Sequence, residues 1–474
     1  MTLRPSFTLL LLAAACAVAL WAPERNARAG GPLLVGGPLV GAEGQPMLWD
    51  LAAMPVRYRT DGGPLARRPD GTVVVDNAAG VTRVQAMFQA WQDVPTAAIT
   101  YSHAGGILSY GTFVDGDVDT VEEFDAVFGS CIEGLQTPIL FDADGMLFFN
   151  LTGEAGIIGF AGPCQLNPST GHIVTGFSMM NGRFQDGLDS PWEWPANYEI
   201  PAAEFDEALA HEFGHLSGLD HSQINVEVLN QTPGQCSTTD LAGLPLMFPF
   251  SFCQARTSAG LPMLAPDDVA WVSMLYPETV NNPPAQSRFD TAYGLIRGVI
   301  YFSDGTTHAQ GVNVIARDTT NLRRKAASVV SGYLFTGNPG QDVTSTNTGG
   351  DPFGSRQPLQ MGAYEIPVPP GTYRVEVESI FPWFIGGSGV GPLSPPIESP
   401  GPREFWNLNE SATDSTTDSS PVTVSAGSVV SEINIILNQT PPRFDSFESA
   451  RLRWPEPPAA RREEEKLLPR TIPA

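Results

Sequence analysis

Basic residues are scarce in this 474-residue chain. Lys and Arg number 26 against 51 Asp and Glu, a formal charge of −25 at pH 7. No basic patch interrupts the acidity, which argues against nucleic acid and anionic membranes as partners. Beyond the first thirty residues no run is long and apolar enough to span a bilayer. Cysteine is sparse, at five, and no C-x-x-C occurs, which argues against a cysteine-bound metal. Histidine is sparse too, at six, yet three of these fall within eleven residues.

Those eleven residues are His211-Glu212-Phe213-Gly214-His215-Leu216-Ser217-Gly218-Leu219-Asp220-His221, or H-E-x-x-H-x-x-G-x-x-H. On a helix, His211 and His215 at i and i+4 share one face and can grip one ion. Neutral imidazole is a good Zn²⁺ ligand. Glu212, one step round the helix, lies beside such an ion, where a general base for its water belongs. Gly218 can adopt φ > 0, which ends the helix and turns the chain so that His221 arrives as third ligand. Three protein ligands leave a fourth position open, the catalytic pattern of zinc sites.

Residues 1–29 read as a signal peptide. Arg4 lies ahead of an apolar stretch from Phe7 to Leu20, and Ala27-Arg28-Ala29 offers an A-x-A cleavage site. Ala13-Ala14-Ala15-Cys16 imitates a lipoprotein box, but the apolar run continues past it. A secreted or extracellular location follows, with periplasm or cell surface as alternatives. Cleavage leaves Cys131, Cys164, Cys236 and Cys253, an even count that suggests two disulfides. Local pairing, Cys131 with Cys164 and Cys236 with Cys253, is the expectation among three connectivities.

Residues 30–47 are Gly- and Pro-rich and read as a flexible lead-in. Met54–Thr60 alternates as a strand. Val81–Gln92 carries a helical stripe of Val81, Val84, Phe88 and Trp91. Ala97–Ser102 reads as a strand. The acidic stretch Asp115–Asp125 fails as an EF-hand, because Thr120 stands where Gly is needed and Ala126 where Glu is needed. It reads as a solvated loop, with Ca²⁺ as a candidate occupant. Asp142-Ala-Asp-Gly145 suits a turn or a cation, with a turn as default. His172 reads as a strand-end residue rather than a ligand. Glu204–Leu216 is the helix carrying the motif. Ala265–Tyr276 is a second helix, with Pro266 at its start and Asp267 and Asp268 complementing its dipole. Residues 280–287 form a linker. From 288 to 440 short strands separated by turn signals imply a β-sandwich. Stretches 336–360 and 386–421 read as long loops, and the tail 441–474 as disordered.

The zinc motif resembles the metzincin clan of zinc peptidases, and within it the matrixins most closely. Ser222 follows His221 as in that family. Leu246-Met247-Phe248-Pro249 looks like its Met-turn, Asp267-Asp268 and Leu275-Tyr276 like its last helix, and Phe88-Gln-Ala-Trp-Gln-Asp-Val like its first. The likeness covers residues 48–279. It implies an α+β catalytic domain, a twisted mixed sheet over the active-site helix. It implies that Met247 is an apolar floor beneath the metal. It also implies that peptide substrates pair with an edge formed by Gly156, Ile157, Ile158, Gly159, Phe160, Ala161 and Gly162. The chain departs from matrixins in three ways. There is no cysteine-switch segment, no histidine set for a structural zinc, and a Cys236–Cys253 bond would brace the loop that shapes the S1′ pocket. Pro249 occupies the place of the extra Tyr ligand of other metzincins. One zinc is therefore expected, with Ca²⁺ as a candidate second ion. Residues 288–440 resemble the transthyretin-like, carboxypeptidase-regulatory type of accessory sandwich, through Val368-Pro-Pro-Gly-Thr-Tyr-Arg-Val.

The expected function is a zinc-dependent endopeptidase acting on protein or peptide substrates. Zn²⁺ is held by His211, His215 and His221, with Glu212 as general base. The accessory domain is a candidate binder of protein or glycan. The alternative is a non-catalytic surface or adhesive protein built on a metzincin scaffold.

Overall fold

The computed structural model describes residues 30–37, 41–190, 196–230, 232–281, 286–335, 355, 357–378 and 403–440. The leader 1–29, linker residues 282–285 and the tail 441–474 lie outside them, as do 336–354 and 386–402 of the two long loops.

The first part runs β1 (Val56–Thr60), β2 (Ala66–Arg67), β3 (Val73–Val75), α1 (Asn77–Gln92), β4 (Tyr101–Gly106), α2 (Val121–Ile132), β5 (Thr137–Asp142), α3 (Met146–Thr152), β6 (Gly159–Leu166), β7 (Ile173–Asn181), α4 (Ala202–Leu216), α5 (Thr238–Gly243) and α6 (Pro266–Leu275). Its main sheet has the order β4-β1-β5-β7-β6. All neighbours are parallel except β6, which runs antiparallel to β7 at the edge. β5 is buried at every residue, as a central parallel strand covered on both faces requires. Helices α1 and α4 pack together on the sheet. Phe88 of α1 stacks on Phe213 of α4 with ring centroids 3.7 Å apart, and Trp91 Nε1 donates to the Ala210 carbonyl at 2.8 Å. The α1 stripe is inside as expected, except that Gly80 is buried beside Val84 while Val81 is only half-buried. A Cβ on Gly80 would stand 3.0 Å from Leu65 and 3.1 Å from Phe141, so only glycine lets the helix approach this closely.

Four expectations need correction. The acidic stretch 115–125 is a loop only in its first half. Thr120 caps α2, and its reciprocal bond with Glu123 forms a capping box, which sets Glu122 and Glu123 in the first helical turn. The Glu123 carboxylate accepts there from the Thr120 hydroxyl at 2.7 Å. The strand expected at Ala97–Ser102 begins at Tyr101, because Ala97 and Ala98 pair with the chain at Pro277 and Tyr276. Residues 30–37, expected as part of a flexible lead-in, are packed instead. Val35 is buried, Pro32 bridges to Leu219, and Leu33 N–H donates to the Gly218 carbonyl at 2.7 Å. Val429–Leu437, which the sequence offers as one of the short strands after residue 288, is split in two, because Glu432 takes φ 63° between its halves.

The second part holds α7 (Phe289–Ala292), β8 (Gly294–Tyr301), β9 (Asn313–Asp318), β10 (Ala326–Val330), β11 (Ala363–Val368), β12 (Gly371–Glu378), β13 (Glu404–Phe405), β14 (Val422–Val424), β15 (Val429–Val430) and β16 (Ile435–Ile436). One sheet runs β10-β9-β12-β13, with β14 also on β12; the other runs β11-β8-β15, with β16 also on β8. Their apolar residues, among them Val314, Val375, Ile296 and Ile366, belong to one buried cluster with the first part. The cysteines pair locally, Cys131 with Cys164 and Cys236 with Cys253, as expected. No helix among the described residues is long and apolar enough to cross a membrane.

The two parts are joined through β10. Ser328 N–H donates to Asp267 Oδ1 at 2.8 Å, Trp271 Nε1 donates to the Ser328 carbonyl at 2.7 Å, and Tyr333 lies edge-on to Trp271. Arg317 of β9 donates to Asn225 Oδ1 at 2.7 Å, and Arg323 pairs with Asp240.

Candidate metal centre

Helix α4 forms because Phe205, Leu209, Phe213 and Leu216 give it a buried face and Glu204 sits favourably in its first turn. It stops at a Schellman turn. Gly218 has φ +81°, its N–H donates to the His215 carbonyl at 2.8 Å, and Leu219 N–H donates to the Gly214 carbonyl at 2.9 Å. The turn swings His221 back toward the helix.

The three Nε2 atoms form a near-equilateral triangle of 3.1, 3.1 and 3.2 Å. All three rings are at most 2% exposed. His211 Nδ1 lies 2.8 Å from the Leu246 carbonyl and His215 Nδ1 2.9 Å from the Leu219 carbonyl. A carbonyl only accepts, so both Nδ1 atoms carry the proton and both Nε2 atoms keep a lone pair. Lone pairs at 3.1 Å repel unless a cation lies between them. Nitrogens placed tetrahedrally at ~2.0–2.1 Å from one Zn²⁺ stand roughly 3.3 Å apart, close to the observed spacing. The donor set therefore fits such an ion. Among the described residues, no other group of three His, Cys, Asp or Glu brings its ligand atoms within 4.8 Å. Burial depresses the His211 pKa to about 4, against the smaller opposing effect of its bond to Leu246, so the ring is neutral and available as a ligand at ordinary pH.

Glu212 is fully buried, and neither carboxylate oxygen has a hydrogen-bond partner. Burial raises its pKa well above the usual carboxylate range. Gly159, at the start of the edge strand β6, lies against it: a Cβ there would stand 2.9 Å from Glu212 Cγ. Of the residues expected to form a substrate edge, Gly159, Phe160, Ala161 and Gly162 lie in β6, while Gly156, Ile157 and Ile158 lead into it. No described strand pairs with the outer side of β6.

Met247 is buried beneath the helix, so close to Gly214 that a Cβ there would meet its Sδ at 2.3 Å. Its turn is tied at several points. The Leu246 carbonyl holds His211, and the Met247 carbonyl accepts from Ser222 N–H at 2.8 Å, next to His221. Asp268 accepts from the N–H groups of Leu246, Met247 and Ala265 at 2.8, 3.0 and 2.7 Å. Beside His211 lies a hollow lined by Leu241, Leu244, Phe248, Phe250 and Phe252, with Glu204, Glu207 and Arg256 also in its wall.

No family model matches this chain, and no curated protein does. Among solved structures, a leucine-rich repeat protein from Bacteroides thetaiotaomicron VPI-5482 is similar at 14% identity and a TM-score of 0.14. The match spans 32% of this chain and 15% of that one, and a similarity this low carries no argument.

The structure thus brings His211, His215, His221, Glu212 and Met247 together, with Gly159 beside them. His103 and His172 lie elsewhere: His103 contacts Thr60 at 3.0 Å, and His172 lies 3.2 Å from the Leu48 carbonyl. Asp142 and Asp144 form a turn into α3, with Asp142 accepting from Phe148 N–H at 2.7 Å. Sequence reasoning missed the role of Asp268, which looked like a dipole partner for α6 and is the anchor of the Met247 turn. The adjacent pair of Asp at a helix start was the available signal. Asp268→Ala leaves three buried donors unanswered, so a loss of about 3 kcal/mol or more is expected, with weaker metal retention. Urea unfolding with a zinc assay checks this, and an unchanged midpoint would sink it.

Proposed function

We propose that this chain is an exported zinc-dependent endopeptidase. The observation that carries the reading is the triangle of three Nε2 atoms beside a buried carboxylate that no protein group engages. The proposal takes residues 48–279 as a matrixin-like metzincin catalytic domain and 288–440 as an accessory β-sandwich. His211, His215 and His221 would hold one Zn²⁺. When bound, that ion supplies Lewis acidity toward a water and the scissile carbonyl.

The remaining work belongs to the chain. A peptide aligns along the free edge of β6 at Gly159–Gly162, adding a strand to the sheet. The hollow beside His211 takes a side chain on the leaving side of the bond. Glu212 accepts the proton of the attacking water at a carboxylate oxygen and returns it to the departing amine as the C–N bond breaks. The carbonyls of Leu246 and Leu219 keep two imidazoles in the tautomer and orientation that bind metal. Met247 fills the space beneath and keeps water out. Two disulfides and the A-x-A leader support an oxidising, extracellular destination.

Chain purified without its leader is expected to carry about one equivalent of zinc, cleave casein, stop on exhaustive chelation and recover with added Zn²⁺. A zinc-loaded chain that leaves casein and a diverse peptide library intact would overturn the peptidase and favour the scaffold alternative.

A further inference from the structure

The second part holds a group of oxygen donors that the zinc chemistry does not use. Glu404 opens β13 on one sheet, and Asn438 follows β16 on the other. The loop after β13 carries Asn407, Glu410 and Asp414 and is bonded to both. Asn438 N–H donates to Glu404 Oε2 and Asn438 Nδ2 to the Asp414 carbonyl, each at 3.2 Å. Ile436 N–H donates to Glu410 Oε2 at 2.9 Å, and Asn407 Nδ2 to Asp414 Oδ2 at 2.6 Å. These bonds use one oxygen each of Glu404 and Asp414 and leave the other over, whereas both oxygens of Glu410 are engaged, its Oε1 accepting from Asn407 N–H at 2.7 Å. Among the described residues, Glu404 Oε1, Asp414 Oδ1 and Asn438 Oδ1 are buried without a hydrogen-bond partner, and Glu404 is only 2% exposed.

Buried acceptors without donors are costly, and a cluster of them calls for a positive group. The nearest guanidinium in sequence, Arg403, faces Glu376 and Glu378 instead. Burial first, and then the negative charge of Asp414, pushes Glu404 up to about 7. Glu410 rises to about 7 through burial and then the charges of Asp414 and Glu404. The free donors are all hard oxygens, carboxylate and amide, with neither nitrogen nor sulfur among them. They come from a loop and two strand ends rather than a rigid octahedral cage, a set that suits Ca²⁺ better than Zn²⁺ or Mg²⁺.

We propose that Glu404, Asp414 and Asn438, with Glu410 alongside, form a Ca²⁺ site that clips the two sheets of the second part together. The site is independent of the peptidase reading, since it shares no residue with the zinc centre.

The test uses the full chain without its leader, stripped of metal and resupplied with saturating Zn²⁺. Adding Ca²⁺ at millimolar level is expected to raise the thermal midpoint by about 3–8 °C. Tb³⁺ is expected to give luminescence sensitised by Trp406, which adjoins Asn407, and Ca²⁺ to quench it by displacement. The double variant Glu404→Gln, Asp414→Asn removes two charges that repel, so it folds without Ca²⁺ and loses both responses. Asp115→Asn with Asp117→Asn, in the acidic loop before α2, keeps both. A wild-type chain without the Ca²⁺ shift overturns the proposal, as does a Glu404/Asp414 variant that retains it. Loss of the shift in the Asp115/Asp117 control would move the site to that loop and overturn it equally.

Discussion

Glu212→Ala is expected to cut peptide hydrolysis by about 10²–10⁴-fold while the purified chain keeps its zinc. The carboxylate lies beside the histidine triangle rather than on it, so deleting it removes the proton carrier and leaves all three ligands. Its effect on stability should have the opposite sign. In the metal-stripped chain both oxygens of Glu212 are buried without a partner, and such a group costs on the order of 1–3 kcal/mol. The variant should therefore unfold at higher temperature than the parent when both lack metal. This pairing of lost activity with gained stability marks a residue kept for chemistry. Zinc analysis, casein hydrolysis and thermal unfolding on one preparation check all three points. Near-normal hydrolysis would end the mechanism. A destabilised variant that loses zinc would show that Glu212 holds the site together instead.

Truncation at the linker, removing everything from residue 282, is expected to abolish folding as well as hydrolysis. The two parts do not meet as a module and its appendage. Trp271 of α6 is 2% exposed; its indole N–H is answered by Ser328 and its ring faces Tyr333. Laying bare a Trp of this kind costs about 3–5 kcal/mol, judged by the loss on truncating buried aromatics. Asp267 would lose the Ser328 N–H and Asn225 the Arg317 guanidinium. Together these approach the whole margin of about 5–15 kcal/mol that a domain commands. Expression of the truncated chain followed by circular dichroism and casein hydrolysis checks it. A truncated chain that is folded and fully active would show that the contact is dispensable.

How much of this was readable in advance depended on whether the signal was local. Helix α4 and its ending were legible because ligand spacing, apolar stripe and Gly218 all lie within one short segment. Helix α1 was legible from its apolar stripe. Helix α2 was not, because its dense carboxylates suggested a loop, although Thr120 and Glu123 spell a capping box. The break at Glu432 was invisible because a non-glycine residue supplies the positive φ. The packing of residues 30–37 was also hidden, since Gly and Pro suggest freedom wherever no partner is in view. Within the site, side-chain ligands announce themselves by type and spacing. The carbonyls of Leu246 and Leu219 do not, because every residue carries one. Asp268 and Ser328 act from 47 and 107 positions beyond His221, separations read directly from the numbering, and no spacing rule reaches that far.

The anchoring of the Met247 turn by Asp268 also sets the terms for transplanting the site. Grafting residues 211–221 onto another helix would carry three ligands, a base and the Leu219 carbonyl that holds His215, but not the Leu246 carbonyl that holds His211. A portable unit needs the 246–247 turn, the aspartate that suspends it and the strand around Ser328, whose hydroxyl lies 3.4 Å from that of Ser222 next to the third ligand. The smallest inheritable piece of this metal centre is therefore a three-dimensional assembly of four separate segments, and a designer who copies only the motif should obtain a weak, promiscuous chelator.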